Sequence, residues 1–394
     1  MISKGQNYQE TAELCLQVLT PVNISDGMQL LPKDYLYDAK RQTVYFVNYS
    51  LWHQFIIEKN LLPSYEKYLL SGDKTKNMLA WLEQQEYSLK DVEYLVSGGA
   101  KAEVDLNRIK DKKSVNAINR QVKLVDGTPY VPGSSLKGIF RTAIIYHLLQ
   151  KNSSVKQKYW RQICDCRYDK KFFKKELEKI AKNLEIDLLH GLKLHDDKDK
   201  PIIARNAVNS VLRGLLVSDA TAAANVSTVI LPKCDLTFDR LGHAKKNDIS
   251  LFRECIIPGS QYTFTVKLDK TMTAVIGLTS VAMLLQWTQD YFNFVMSLQS
   301  KAFGKAYPNL FEGVEQANIF LGSNTGFLSK TILLAVAPED EAKEAMQVVR
   351  ELLDVTFRKH KHLSLDKIIS PRTLKATIYA GRQVLTGLAK VTVK

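Results

Sequence analysis

The chain has 394 residues, 45% of them hydrophobic, and a formal net charge of +14. This is enough apolar material for two ordinary cores, so two domains are expected. No run approaches the roughly 18 uninterrupted apolar residues of a membrane-spanning helix, and the opening MISKGQNYQE lacks the basic-then-apolar order of a secretory signal; a cytoplasmic protein is expected. Cys15, Cys164, Cys166, Cys234 and Cys255 are odd in number and scattered, which fits reduced thiols better than a disulfide framework.

The positive charge is localised. Residues 101–182 hold 20 Lys or Arg against 8 Asp or Glu, and residues 355–394 hold 9 against 1. Two separate basic windows point to a polyanion such as nucleic acid, because each neutralised phosphate releases counterions. A solvated face that keeps the chain soluble is the plainer reading of either window alone.

Along the chain, LCLQVL (14–19) reads as a strand running into the turn-rich TPVNISDG, and residues 43–47 read as a second strand. From 51 to 96 the pattern is helical, with Met78, Leu79, Trp81 and Leu82 on a buried face and Ser71 or Asp73 as cap. This is expected to be a helical insertion over about 51–115. The run QVKLV then closes on the turn Asp126-Gly127-Thr128-Pro129. Further on, Tyr262, Phe264, Val266 and Leu268 alternate with polar residues as a half-buried strand does. A helix is expected over 280–300, a strand over 330–336, a helix over 339–355 opened by Pro338, and a strand over 374–380. The order fits an α+β fold of two ferredoxin-like βαββαβ units, one over 1–200 with the insertion and one over 201–394.

The most informative segment is VPGSSLKGIFR (131–141). Leu136, Ile139, Phe140, Ala143, Ile144, His147 and Leu148 fall at helical spacing, with Ser134 or Ser135 able to cap the first turn. Gly133 would let a phosphate approach the helix N-terminus, and Lys137 and Arg141, one turn apart, could reach the same anion. A capped amphipathic helix with two surface cations explains the same residues. A second segment, Leu321 to Lys330, repeats the idea: Gly322, Ser323, Asn324 and Gly326 form a loop whose amides could converge on phosphate, with Lys330 supplying charge. A tight turn would use those residues too.

VPGSSLKGIFRTAI resembles the signature of the RAMP superfamily of CRISPR-associated proteins. LTPVNISDG, LLPKDYLYD, VYFVN, LVSDA, RECIIPGSQYTFTV, LGSNTGFLSKT and SPRTLKATIY, in that order, are similar to the fifth Csm subunit of type III-A systems. The resemblance implies a pair of RRM-like ferredoxin folds with a helical insertion. It also implies a place at the end of a Csm complex, holding the 3′ end of CRISPR RNA and needed for its maturation. The partners implied are CRISPR RNA, other Csm subunits and a cellular trimming nuclease. One departure is that Asn23-Ile24-Ser25-Asp26-Gly27 stands where the family tends to carry His-Ile-Gly-Ser-Gly, so no RNA contact is assigned to Asn23 or Asp26.

Other candidates are weaker. Cys164-Asp165-Cys166 with His190 and His195 does not match zinc spacings, and neither metal nor cofactor is expected. His147 lies on the apolar face of the signature helix and reads as a core histidine. His243 shows no evident acid or base partner. Lys170, Lys171, Lys174, Lys175 and Lys179 read as one solvated helix face. A non-catalytic RNA-binding subunit is therefore expected. The alternatives are a metal-independent precursor endoribonuclease, for which no acid and base set is visible, and a backbone-type RAMP subunit in which Asp26 would cut target RNA.

Overall fold

The computed structural model describes residues 8–71, 77–103, 115–222, 224–239 and 243–394. Four strands, β1 (Gln9–Val18), β2 (Ser25–Leu30), β3 (Tyr35–Asp38) and β4 (Thr43–Val47), lead into helices α1 (Tyr49–Glu58), α2 (Leu62–Leu70) and α3 (Met78–Gln84). Strands β5 (Val96–Ala102) and β6 (Ala117–Gln121) precede α4 (Gly133–Lys151), α5 (Ser153–Cys166) and α6 (Phe173–Leu189). Then come β7 (Leu215–Val217), β8 (Thr221–Ala222), the long pair β9 (Thr228–Phe238) and β10 (Ala244–Ile256), and β11 (Gln261–Asp269). The chain closes with α7 (Lys270–Thr273), α8 (Val281–Phe303), β12 (Ile319–Phe320), α9 (Leu333–Val336), α10 (Ala342–Thr356), α11 (His362–Leu365), β13 (Leu374–Tyr379), β14 (Arg382–Leu385) and β15 (Leu388–Val393).

Period-two patterning explains the first sheet, ordered β12-β15-β1-β11-β7 with β8 also on β11. Leu14 and Leu16 of β1 face Phe264 and Tyr262 of β11 across the register, and Val391 of β15 also pairs with Leu16. All five side chains are buried, as are Leu136, Phe140 and Ile144 of α4 and Leu284 and Trp287 of α8, with which they form the main core. Among the described residues one helical stretch, Lys270–Phe303, is long and apolar enough to cross a membrane. Its Leu284, Trp287, Phe292 and Val295 pack inside the protein.

The second sheet runs β2-β6-β10-β9-β5-β4-β3, with β13 on β9 and β14 on β13. The helices between β4 and β5 share a separate aromatic core of Trp52, Phe55, Tyr65, Tyr68 and Trp81. The fold is α+β, as expected. A boundary at residue 200 would run through both sheets: β1 pairs with β11 and β15, β5 with β9, and β6 with β10. Periodicity tells which face of a strand is buried but not which strand lies beside it. The strand expected over 330–336 is instead a 3₁₀ turn followed by α9, because a short apolar run serves a buried helical turn equally well. Asn77 caps α3 by accepting from the Ala80 amide at 2.7 Å, Ser71 closes α2, and Asp73 lies outside the described residues.

Candidate nucleic-acid interface

The signature helix α4 begins at Gly133 after Pro132, and no side-chain hydroxyl caps it. The Gly133 amide donates instead to Asp219 Oδ1 at 2.7 Å. A Cβ on Gly133 would stand 2.5 Å from the Val217 carbonyl oxygen. The glycine therefore seats the helix against β7, and its own amide is already taken. Lys137 Nζ donates to the Leu212 carbonyl at 2.9 Å, and burial pulls its pKa down. Arg141 pairs with Glu185 of α6. The two cations are thus each occupied by the protein and do not converge on one open anion position.

Another stripe of the same helix faces open space. Ser135, Gly138, Ile139 and Thr142 recur at helical spacing and line a cleft of about 360 Å³. The opposite wall is the late glycine loop with its approach, including Phe320, Gly322, Ser323 and Lys330, and the floor includes Tyr291 and Phe292 of α8. Two segments nearly 190 residues apart in sequence, singled out separately for phosphate contact, meet at this cleft. Gly138 is the telling residue. It sits inside a 19-residue helix, where glycine costs roughly 1 kcal/mol relative to alanine, yet nothing lies within 4 Å of where its Cβ would be. The space it leaves open is the cleft.

The loop is shaped by backbone demands. Gly322 has φ +96°, and a Cβ there would stand 2.4 Å from the Asn23 carbonyl oxygen; Gly326 has φ +88°. Ser323 donates through its amide to that carbonyl at 2.8 Å and through Oγ to Asn23 Oδ1 at 2.7 Å. Buried Asn324 bonds Thr386. Ser323 and Asn324 thus hold the loop to its neighbours, and Lys330 is the cation left at the rim. Partial burial and the nearby charge of Arg253 depress the Lys330 pKa.

The departure at 23–27 has a structural explanation. Asn23 is buried and donates to the Glu254 carbonyl at 2.7 Å, while Asp26 pairs with Arg120. The Glu254 carboxylate, wholly buried, accepts from Lys123 Nζ at 2.6 Å, Thr228 Oγ at 2.7 Å and the Gln121 amide at 3.1 Å. This network stitches β6, β9 and β10 beneath the Asn23 loop.

The remaining candidates fall as follows. His147 stacks on Trp287 with ring centroids 3.8 Å apart, and its buried Nε2 has no partner among the described residues. His243 does have an acid partner, Asp239 at 3.1 Å in an exposed loop, contrary to expectation. Burial pushes both the Cys164 and Cys166 thiols up, the latter to about 11, and His190 contacts the Ala204 carbonyl. Lys170, Lys171, Lys174, Lys175 and Lys179 are exposed. Of the basic windows, Arg108, Lys110, Lys112 and Lys113 lie outside the described residues; in the tail, Arg372 pairs with buried Asp366, Lys375 with Asp235 and Lys394 with Glu13. Asp366 also holds His362 and Ser370, but as a shared hub with Ser370 fully buried, so this is not a nucleophile set. Sequence reasoning missed Tyr291, Phe292 and Phe320 as cleft residues; only the mid-helical glycine hinted at the opening.

The chain is similar along most of its length to known proteins. A Mycobacterium tuberculosis protein named CRISPR system Cms protein Csm5 is 25% identical over 387 residues, covering 94% of each chain. The protein of that name from Enterococcus italicus is 21% identical over 356 residues, covering 85% of this chain and 84% of the relative. Among solved structures, a chain of a Csm-crRNA-target RNA ternary complex of a type III-A CRISPR-Cas system superposes with a TM-score of 0.65 at 15% identity, covering 97% of this chain and all of that one. The T. onnurineus Csm5 crystal structure gives 0.57 at 17% identity, covering 95% and 99%. The RAMP superfamily profile matches residues 15–358. With the profile spanning most of the chain and the signature helix forming one wall of the cleft, this protein belongs to the RAMP superfamily.

Proposed function

We propose that this chain is a non-catalytic subunit of a type III-A Csm effector complex. It acts in the cytoplasm and binds the 3′ end of the guide CRISPR RNA in the cleft between α4 and the late glycine loop. The observation that carries the reading is the meeting of the Ser135–Gly138–Thr142 stripe with the Gly322–Lys330 segment around one opening. Its volume lies near the lower end of the range for small-ligand pockets and suits a single nucleotide better than a duplex. Half-buried Ile139, backed by the buried rings of Tyr291, Phe292 and Phe320, offers apolar surface for a base, and Lys330 stands at the rim for a phosphate. Likeness to Csm5 proteins supports the complex, and the ternary complex among the similar structures supports guide RNA and other Csm subunits as partners. A cellular nuclease that trims the guide would then meet its substrate at this end.

The reading as a non-enzyme rests on the side chains. Among the described residues, the titratable groups lining the cleft are Tyr291 and Lys330. The Tyr291 hydroxyl donates to the Thr331 carbonyl at 3.0 Å, and burial raises its pKa well above the ordinary range. General acid and base cleavage of RNA needs two groups that exchange protons near neutral pH. Gly138→Trp tests the assignment, because the indole fills the cleft while a Cβ at 138 meets nothing. A folded Gly138→Trp chain should bind guide RNA at least about tenfold more weakly and leave the guide 3′ end unprotected in a reconstituted complex. Parent-level binding and protection would move the RNA elsewhere.

A further inference from the structure

Beside the late glycine loop lies a buried guanidinium with two unpartnered nitrogens. Arg253 of β10 retains only 9% of its surface, and neither Nε nor Nη1 has a hydrogen-bond partner among the described residues. An isolated buried charge is costly, so a free protein that keeps one is held in readiness for an anion or carries the cost unrelieved. The residue opens into a small cavity of about 10 Å³ bounded by Asn23, Pro232, Asn324, Thr377 and Gly387. That space admits one oxygen-sized atom.

The surroundings are cationic. Lys233 of β9 has its pKa depressed by burial and by the nearby Lys375 and Arg253, and the Arg253 charge also disfavours that of Lys330. Lys375 of β13 passes the loop at Gly326, 3.4 Å from where a Cβ would lie. Among the described residues Asp235 is the carboxylate these groups share, and it is taken by Lys375 at 2.8 Å, with Lys233 at 4.0 Å. Glu254, next in sequence to Arg253, is satisfied in the separate network beneath the Asn23 loop. Four cations with one carboxylate leave uncompensated positive charge around the only fork-shaped donor among them.

We propose that Arg253, with Lys233, Lys330 and Lys375, forms an anion site for a phosphate group, one non-bridging oxygen entering the cavity at Arg253 while the lysines face the remainder. Guanidinium suits this task because its planar donors match phosphate oxygens. The site deepens the RNA-binding reading, since a strand leaving the cleft around the loop would present its backbone there, and it rests on that reading for the identity of the phosphate. A free phosphate ion has the same chemistry, and the two sources separate by experiment.

The test uses full-length Arg253→Met and Arg253→Lys proteins, measuring thermal unfolding with and without inorganic phosphate and affinity for single-stranded RNA. Two results of opposite sign are expected of Arg253→Met: a higher unfolding temperature in phosphate-free buffer, because the unpaired charge is gone, and RNA binding weaker by about tenfold. Phosphate should stabilise the parent and not Arg253→Met. Arg253→Lys, which keeps the charge but not the fork, should fold and bind RNA between the two; it decides the question if the methionine variant does not fold, since parent-level affinity there contradicts the proposal. An Arg253→Met protein that is destabilised, binds RNA as the parent does and gains from phosphate as the parent does would overturn it, leaving the guanidinium to an ordered water. Loss of the phosphate effect with unchanged RNA affinity would assign the site to free phosphate and refute the RNA source. Should the parent itself fail to bind RNA, the functional reading falls while the phosphate arm still decides the anion site.

Discussion

The N-terminal turn of α4 and the late glycine loop are built from the same kinds of residue, glycine, small hydroxyls and a cation, yet the fold uses them differently. In the helix, Gly133 is a packing device against β7, its amide is taken by Asp219, and Lys137 and Arg141 are tied to Leu212 and Glu185. In the loop, Gly322 and Gly326 hold a left-handed backbone that lays the segment over Asn23 and leaves Lys330 at the edge of a cleft. The lesson concerns phosphate motifs generally: residue type says what a segment can bind, and only the neighbours say whether those groups are still available.

The sharpest way to break the comparison is at the helix. Leu136 is 1% exposed in the main core, so Leu136→Asp buries an unpaired carboxylate and should cost about 4 kcal/mol or more, read as loss of cooperative unfolding. In the loop, Gly322→Ala combines an unfavourable φ with a carbonyl 2.4 Å from the new Cβ and should cost about 1–3 kcal/mol in denaturant titration. Stability unchanged in that variant would mean the loop is not docked on Asn23. At the level of binding, Lys330→Ala should weaken RNA affinity several-fold. The double change Lys137→Ala with Arg141→Ala should matter less, because both cations already have partners; the reverse ranking would restore the helix as the phosphate site.

The smallest effect is in pH. Burial, aided by Lys151, lowers the His147 pKa against an opposing pull from Asp290, so the unfolded chain binds this proton more readily than the folded one. The contribution is therefore complete above the unfolded value of about 6.5 and is lost as pH falls through it toward the lower folded value. Replacing His147 with Phe, which keeps a ring over Trp287, should flatten the fall in unfolding temperature between about pH 7 and 5 relative to the parent. An identical slope in both proteins would show that His147 is not the group involved.

Much of the local structure was legible because periodicity reports burial directly. Thr43–Val47 is β4 as read, the alternation from Tyr262 to Leu268 is β11, and Pro338 does open the helical run that becomes α10. Partners were not legible. Nothing local in Leu14 indicates that Phe264 and Val393 flank it, and nothing in Asn23 indicates that its amide caps the Glu254 carbonyl 231 residues away. The candidate site shows the same division. Both of its glycine-rich segments could be picked out by composition, whereas their meeting, the aromatic floor from α8 and the stranded charge of Arg253 are products of long-range pairing.

Photocrosslinking tests the central claim most directly. A guide RNA carrying a photoreactive base at its 3′ terminus, assembled with this chain and its Csm partners, should crosslink to peptides spanning residues 288–292 and 318–330, with a yield that drops in Gly138→Trp. Crosslinks confined to the exposed lysines at and just before the start of α6, residues 170–179, with the cleft peptides unlabelled, would contradict the account and make the cleft a feature of the scaffold.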